Sequence, residues 1–290
     1  VALAFRAGAE ITDMEFFQFH PTALCLPGTQ PFLISEAMRG EGGILLNAHG
    51  DRFTHNELAP RDVVTRSIVM EMRKTQSDHV FLDATHLPSV STRFPGIYHF
   101  CMEHGIDITR SLIPVAPAAH YMMGGVKVNE WGETNIQGLF ACGEVACTGI
   151  HGANRLASNS LIEALVFGRR IAQRIEEGAE ESMQATEDPV HLRGLEGIKS
   201  PSTLSLAALR SLMWNEVGII RDRKGLEKAV MILASHHGSI SMDNMVLVGR
   251  LMAEAALMRE ESRGAHFRSD FPSLPPRSSK EHHTVFRRHF

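Results

Sequence analysis

Two arginines stand where helix electrostatics disfavour them. In HGANRLASNSL (residues 151–161) Arg155 precedes an apolar run that reads as a helix from about Asn159 to Glu177. In APRDVVTRSIVMEMRK Arg61 opens a second helix. A helix N-terminus already carries partial positive charge, so a cation there calls for something anionic nearby. A salt bridge to Asp62 or Glu57 would answer for Arg61 alone. Two such arginines in one chain point instead to a cationic site for a substrate with two carboxylates, which guanidinium groups grip in bidentate fashion. His20 in QFHPTAL and His120 in PAAHYMMGG sit in apolar, Pro-flanked sequence. Each alone reads as a satisfied core residue; as a pair beside two arginines they would add donors for carboxylates. Glu144 follows Gly143 at the end of GLFACGEV. A carboxylate just past a strand end hydrogen-bonds a cofactor hydroxyl or caps a helix, and the residues leave both open.

The elements that must position these groups fall into zones. Residues 1–120 read as mixed α and β. GGILLNAHGDRFT alternates toward a hairpin turning at His49–Gly50. The helix after Ala59 has Pro60 at its first position and Val64, Ile68 and Met72 at spacing four. HVFLDATHL reads as a short buried strand, and Pro88, Pro95, Pro114 and Pro117 as breaks between loops and short helices. MRGEGGILLN has glycines but a strand-like run after them, so it reads as a turn rather than a phosphate loop, and the chain contains no GxGxxG. Residues 121–178 read as two short strands turning at Trp131–Gly132, a third strand GLFACG, and the long helix. Its apolar face carries Leu161, Leu165, Ile171 and Ile175, and Gly178 is its C-cap. Residues 179–200 read as an acidic linker or mobile crossover. Three helical segments after Pro201 suggest a small bundle. The basic tail after Ser262 reads as solvated and irregular.

Composition narrows the function classes. The 290 residues are 43% hydrophobic and 21% charged, with net charge -4, which removes any electrostatic case for nucleic-acid binding. Four scattered cysteines without a CxxC pair argue against a disulfide framework or a zinc site and fit a reducing cytosol. The sixteen histidines lack an HExxH and read as solvated surface residues. The sequence contains no run of eighteen apolar residues and no visible signal peptide.

QFHPTAL, ISEAMRGEGG, ELAPRDVVTR, APAAHYMMGGV, GLFACGEV and HGANRLASNSL occur in that order. Together they resemble the succinate dehydrogenase/fumarate reductase flavoprotein family. Within it, APRD, PAAHY and RLASNSL resemble the branch that oxidises L-aspartate. The resemblance implies a mixed α+β and α/β fold. Residues 1–13 would end the first part of a Rossmann-like FAD domain, 14–120 form a capping domain and 121–178 the second part of the FAD domain. Residues 179–194 would be a linker and 195–290 a C-terminal helical domain. The Gly-rich segment that holds the pyrophosphate would precede residue 1, so the chain is expected to be a truncated form.

The implied reaction is FAD-dependent oxidation of L-aspartate to iminoaspartate, the first step toward quinolinate and NAD, with oxygen or fumarate as acceptor. Arg61 aligns with the proton-transfer arginine of the family. His20, Leu33, Ser35, His120 and Arg155 align with the substrate pocket. Glu144, Ser160 and Leu161 align with groups that meet FAD. The resemblance further implies a cytoplasmic enzyme, with no metal, membrane or nucleic-acid partner and a possible association with quinolinate synthase. The alternatives are a succinate dehydrogenase or fumarate reductase flavoprotein subunit, which would need an iron–sulfur partner, and a non-catalytic fragment unable to bind FAD alone.

Overall fold

The computed structural model describes residues 1–29, 31–178, 183–187, 189–192, 203–236, 239–274 and 282–288. The chain divides into two compact units, Phe19–His120 and the combination of Val1–Gln18 with Tyr121–Phe290. In chain order the elements are α1 (Ala2–Arg6), β1 (Ile11–Thr12), β2 (Phe17–Leu24), β3 (Phe32–Leu33), α2 (Glu36–Gly40), β4 (Ile44–Leu46), α3 (Arg61–Thr75), β5 (Val80–Asp83), α4 (Val90–Arg93) and α5 (Pro95–Glu103). There follow β6 (Ile113–Met122), β7 (Gly125–Lys127), β8 (Ala146–Cys147), α6 (Asn159–Glu176), α7 (Leu206–Glu216), α8 (Arg223–Ala234), α9 (Ile240–Met258) and β9 (Val285–Phe286).

The unit Phe19–His120 is built on a five-stranded sheet in the order β3-β2-β6-β5-β4. Its core gathers Ile34, Met38, Leu45, Val64, Ile68, Leu82, Ile113 and Val115. Val64 and Ile68 bring one face of α3 onto this core, as their spacing predicts, and Met72 is partly buried against it. Pro60 is the residue before α3 and Arg61 its first helical residue, one position later than expected. The helix stops at Gln76, which adopts φ +53° while Ser77 N donates to Met72 O at 3.0 Å. That six-to-one closure satisfies the last-turn carbonyls without a glycine.

Pro114 and Pro117 correct the expected breaks, because both lie inside β6. Pro114 lacks a donor, but its carbonyl accepts from Cys25 N at 2.9 Å, so the chain stays extended there. Pro95 does open a helix. The segment MRGEGG is not wholly a turn. Its first half belongs to α2, and Gly42, at φ +112°, makes the turn into β4.

The other unit carries a four-stranded sheet in the order β8-β7-β1-β9. Strand β1 pairs antiparallel with both β7 and β9, and β7 pairs parallel with β8. Helices α7, α8 and α9 share a core of Leu209, Leu212, Leu226, Leu233, Val246 and Leu257. GLFACG forms no strand; it is held by a single bridge from Phe140 to Glu133, ahead of a turn of 3-10 helix at Gly143–Val145.

The basic tail is not wholly solvated in its described part. Phe286 is fully buried in β9. The Arg268 guanidinium grips Asp270 and donates to Ala256 O and Leu257 O at the end of α9, so its charge satisfies a helix C-terminus. The described part of the acidic linker is also docked. Thr186 donates twice to the buried Glu10 carboxylate, and Val190 N donates to Val285 O. His151, His236 and His266 are buried, which corrects the reading of the other histidines as surface residues. Among the described residues no group of three His, Cys, Asp or Glu is placed to hold a metal ion, and no helix is long and apolar enough to cross a membrane.

Candidate active site

In the unit Phe19–His120, β2 and β6 present the two histidines with ring centroids 5.3 Å apart, edge to face. His20 Nδ1 accepts from Thr22 N at 3.2 Å. That bond fixes the tautomer: the proton resides on Nε2, and the ring offers an N–H donor. Burial, reinforced by the nearby charges of Arg61, His120 and Arg39, pushes the His20 pKa down to about 3. His20 is therefore a neutral donor at any working pH.

Arg61 finds its counter-charge in Glu36, with Nε donating to Oε2 at 2.8 Å. The partners expected from the sequence are engaged elsewhere, Asp62 with Arg66 and Glu57 with Arg52. Glu36 occupies the first turn of α2, where the helix dipole favours an anion. Ser35 caps that helix, its Oγ accepting from Ala37 N at 3.3 Å. Leu33 stands partly exposed on β3.

Arg39, also on α2, is a site residue that the sequence reading missed. It is 2% exposed, and Nη1 donates to the carbonyl of Glu57. Its Nε and Nη2 are buried with no hydrogen-bond partner among the described residues. A buried guanidinium with unmet donors is costly unless an anion completes it. The available signal was its place in MRGEGG, three residues after Glu36. His20, His120, Arg39 and Arg61 thus form an electropositive cluster with donors for carboxylate oxygens.

In the other unit, Arg155 lies in the loop ahead of α6 rather than in its first turn. Its guanidinium carbon stands 4.4 Å over the centre of the Tyr121 ring. Nη1 donates to Ser160 Oγ at 3.2 Å. Gln18, also missed from the sequence, is buried and fixes the loop by donating to Asn154 Oδ1 and to the carbonyl of Arg155. Glu144 is exposed, with Oε1 accepting from Met122 N at 3.0 Å.

The helix expected to be buried behind Arg155 is not. Its apolar stripe is coherent, yet Leu161 is 72% and Leu165 76% exposed, while Glu163 and Phe167 are the buried residues. The first turn of α6 has no side-chain cap from Ser158; Leu161 N donates to Ser158 O at 3.3 Å, and the helix end presents its positive pole to an anion.

Residues 1–161 match the family model described as FAD binding domain, and residues 235–289 match fumarate reductase flavoprotein C-term. The chain is 43% identical to L-aspartate oxidase 1 of Ralstonia nicotianae, over 96% of this chain and 57% of that protein. It is 44% identical to the chloroplastic L-aspartate oxidase 2-b of Nicotiana tabacum, over 94% of this chain and 49% of that protein. Among solved structures it is similar to the quinol fumarate reductase FrdA of E. coli, with TM-score 0.78 and 30% identity, over 98% of this chain and 58% of that one. The chain spans about half the length of the curated relatives it matches. The first family model spans the ordered motifs from QFHPTAL to HGANRLASNSL, the second names the fumarate reductase flavoprotein C-terminus, and the chain belongs to the succinate dehydrogenase/fumarate reductase flavoprotein family.

Proposed function

We propose that the protein is an FAD-dependent oxidoreductase that converts L-aspartate to iminoaspartate. The observation that carries this reading is the cluster of Arg39, Arg61, neutral His20 and His120, which suits a small dicarboxylate. The relatives named L-aspartate oxidase, at 43% and 44% identity, favour aspartate over succinate.

The residues present fit the flavin. Glu144 is exposed and oriented by a backbone amide, as a carboxylate receiving a ribityl or ribose hydroxyl should be. The uncapped first turn of α6, with Ser160 and exposed Leu161, offers a positive helix end beside an apolar surface. FAD, when bound, would supply the two-electron acceptor for the hydride of the substrate α-carbon.

The work of this chain is binding and electrostatics. In the unit Phe19–His120, His20 donates through Nε2 and His120 and Ser35 add groups for a substrate carboxylate, with Leu33 beside them; in the other unit, Arg155 offers its guanidinium to a carboxylate. A guanidinium is a poor acid–base group, which bears on Arg61. Its part is therefore to hold negative charge in place, and Glu36 fixes its direction. Oxygen or fumarate as final acceptor, and association with quinolinate synthase, belong to the same proposal. Location is left open by this chemistry, since relatives include a chloroplastic enzyme.

The test is anaerobic bleaching of the FAD-loaded protein near 450 nm. L-Aspartate is expected to bleach the flavin and succinate to leave it oxidised. Bleaching by succinate alone would assign the dehydrogenase or reductase chemistry instead, and no bleaching by either would overturn the reading.

A further inference from the structure

Beneath Arg155 lies a buried polar assembly that neither the fold nor the proposed chemistry accounts for. Glu163, near the start of α6, has a side chain 1% exposed. Its carboxylate accepts from three side chains. Thr148 Oγ1 donates to Oε1, His151 Nε2 donates to Oε2 at 2.7 Å, and Tyr121 Oη donates to Oε2 at 3.4 Å. His151 Nδ1 is buried with no hydrogen-bond partner among the described residues. The ring donates to the carboxylate through Nε2. Burying a carboxylate is costly, and three donors are gathered here to offset that cost.

The assembly leads to Arg155. The Tyr121 hydroxyl is pinned by Glu163 and by His151 Nε2 at 3.3 Å. The Tyr121 ring is also held edge to face against His151, with centroids 5.2 Å apart and planes at 88°. Its open face carries the Arg155 guanidinium at 4.4 Å. A phenol that donates to a carboxylate has a more electron-rich ring, which strengthens its hold on a cation. The same guanidinium donates to Ser160 Oγ and to the Leu156 carbonyl, so it is held from the ring face and from its edge. The arrangement fixes the position of the cation.

We infer that Glu163, acting through His151, Thr148 and Tyr121, is a positioning residue that sets the Arg155 guanidinium for a substrate carboxylate. The inference rests on the proposed role of Arg155, but its structural half is measurable without turnover.

The test uses three variants, Tyr121→Leu, Tyr121→Phe and Glu163→Gln. In the FAD-loaded protein, Tyr121→Leu should raise the KM for L-aspartate about tenfold with kcat within about twofold, the loss of one partly buried cation–π contact. Glu163→Gln should raise KM several-fold, and Tyr121→Phe, which keeps the ring, should restore most of the binding. A merely structural role would lower the active fraction and kcat while KM stayed put. Independently, phenylglyoxal labelling of Arg155, followed by peptide mass spectrometry, should run several-fold faster in Tyr121→Leu and Glu163→Gln. Unchanged labelling in both variants overturns the inference. If wild type fails to oxidise L-aspartate yet labelling accelerates, the positioning stands and the substrate reading falls.

Discussion

His20 works because it refuses a proton. Its ordinary pKa of 6.5 is pushed down to about 3 by burial and by the cations around it. As pH falls below 6.5 the unfolded chain takes up a proton at this position and the folded chain does not. Stability present above 6.5 is therefore lost progressively toward pH 3, on the order of 2 kcal/mol by pH 5. His20→Asn should flatten that part of the profile in urea titrations between pH 7 and 5, and an unchanged slope would show that His20 is not held neutral. His20, His120 and Arg61 were legible in the sequence because each sits in an unusual local setting, a Pro-flanked apolar stretch or the mouth of a helix. Glu36, Arg39 and Gln18 were not. Their neighbours in sequence look ordinary, and what marks them is a partner 25, 18 and 136 residues away.

Elements were read well where one periodicity ruled. Helix α3 and the three helices after Pro201 follow from the spacing of their apolar residues. Failures came where a long-range partner supplied what local sequence lacked. Strand β6 keeps two prolines because Pro114 needs only to accept a hydrogen bond. The C-terminal tail looked solvated because its Arg and His residues dominate its composition. Yet Arg268 caps α9, and β9 completes a sheet by pairing Phe286 with Ile11. The tail is thus a structural element of its unit. Phe286→Ala, which empties a fully buried site packed with Phe5, Ile11 and Leu251, should cost about 3–5 kcal/mol. Urea midpoints of the two proteins measure this directly. A loss below about 1 kcal/mol, the scale of ordinary surface substitutions, would mean the tail contributes no core.

For the whole molecule, the exposed stripe of α6 matters most. A soluble surface carries scattered apolar side chains without consequence, but a contiguous group marks a place where something binds. Leu161, Ile162 and Leu165 are each more than half exposed, and Val145, Ile150 and Leu156 are exposed nearby in sequence. The same helix was read from sequence as buried, and its amphipathic pattern justified that: pattern records which face is apolar, while its cover is a matter of what else is bound. Here Leu161 stands in the first turn of α6, which has no side-chain cap and carries the positive pole of the helix dipole. Flavin contact at that end and apolar cover along the rest would satisfy both features at once. The 290-residue chain without flavin should therefore bind a hydrophobic dye such as ANS at this face. Saturating FAD should displace part of the dye, and the double variant Leu161→Gln with Leu165→Gln should remove most of its fluorescence without lowering thermal stability. Dye binding indifferent to both would place the sticky surface elsewhere and would detach α6 from the flavin site. Dye lost in the variant but untouched by FAD would leave α6 as a packing face and move the flavin contact to Glu144 alone.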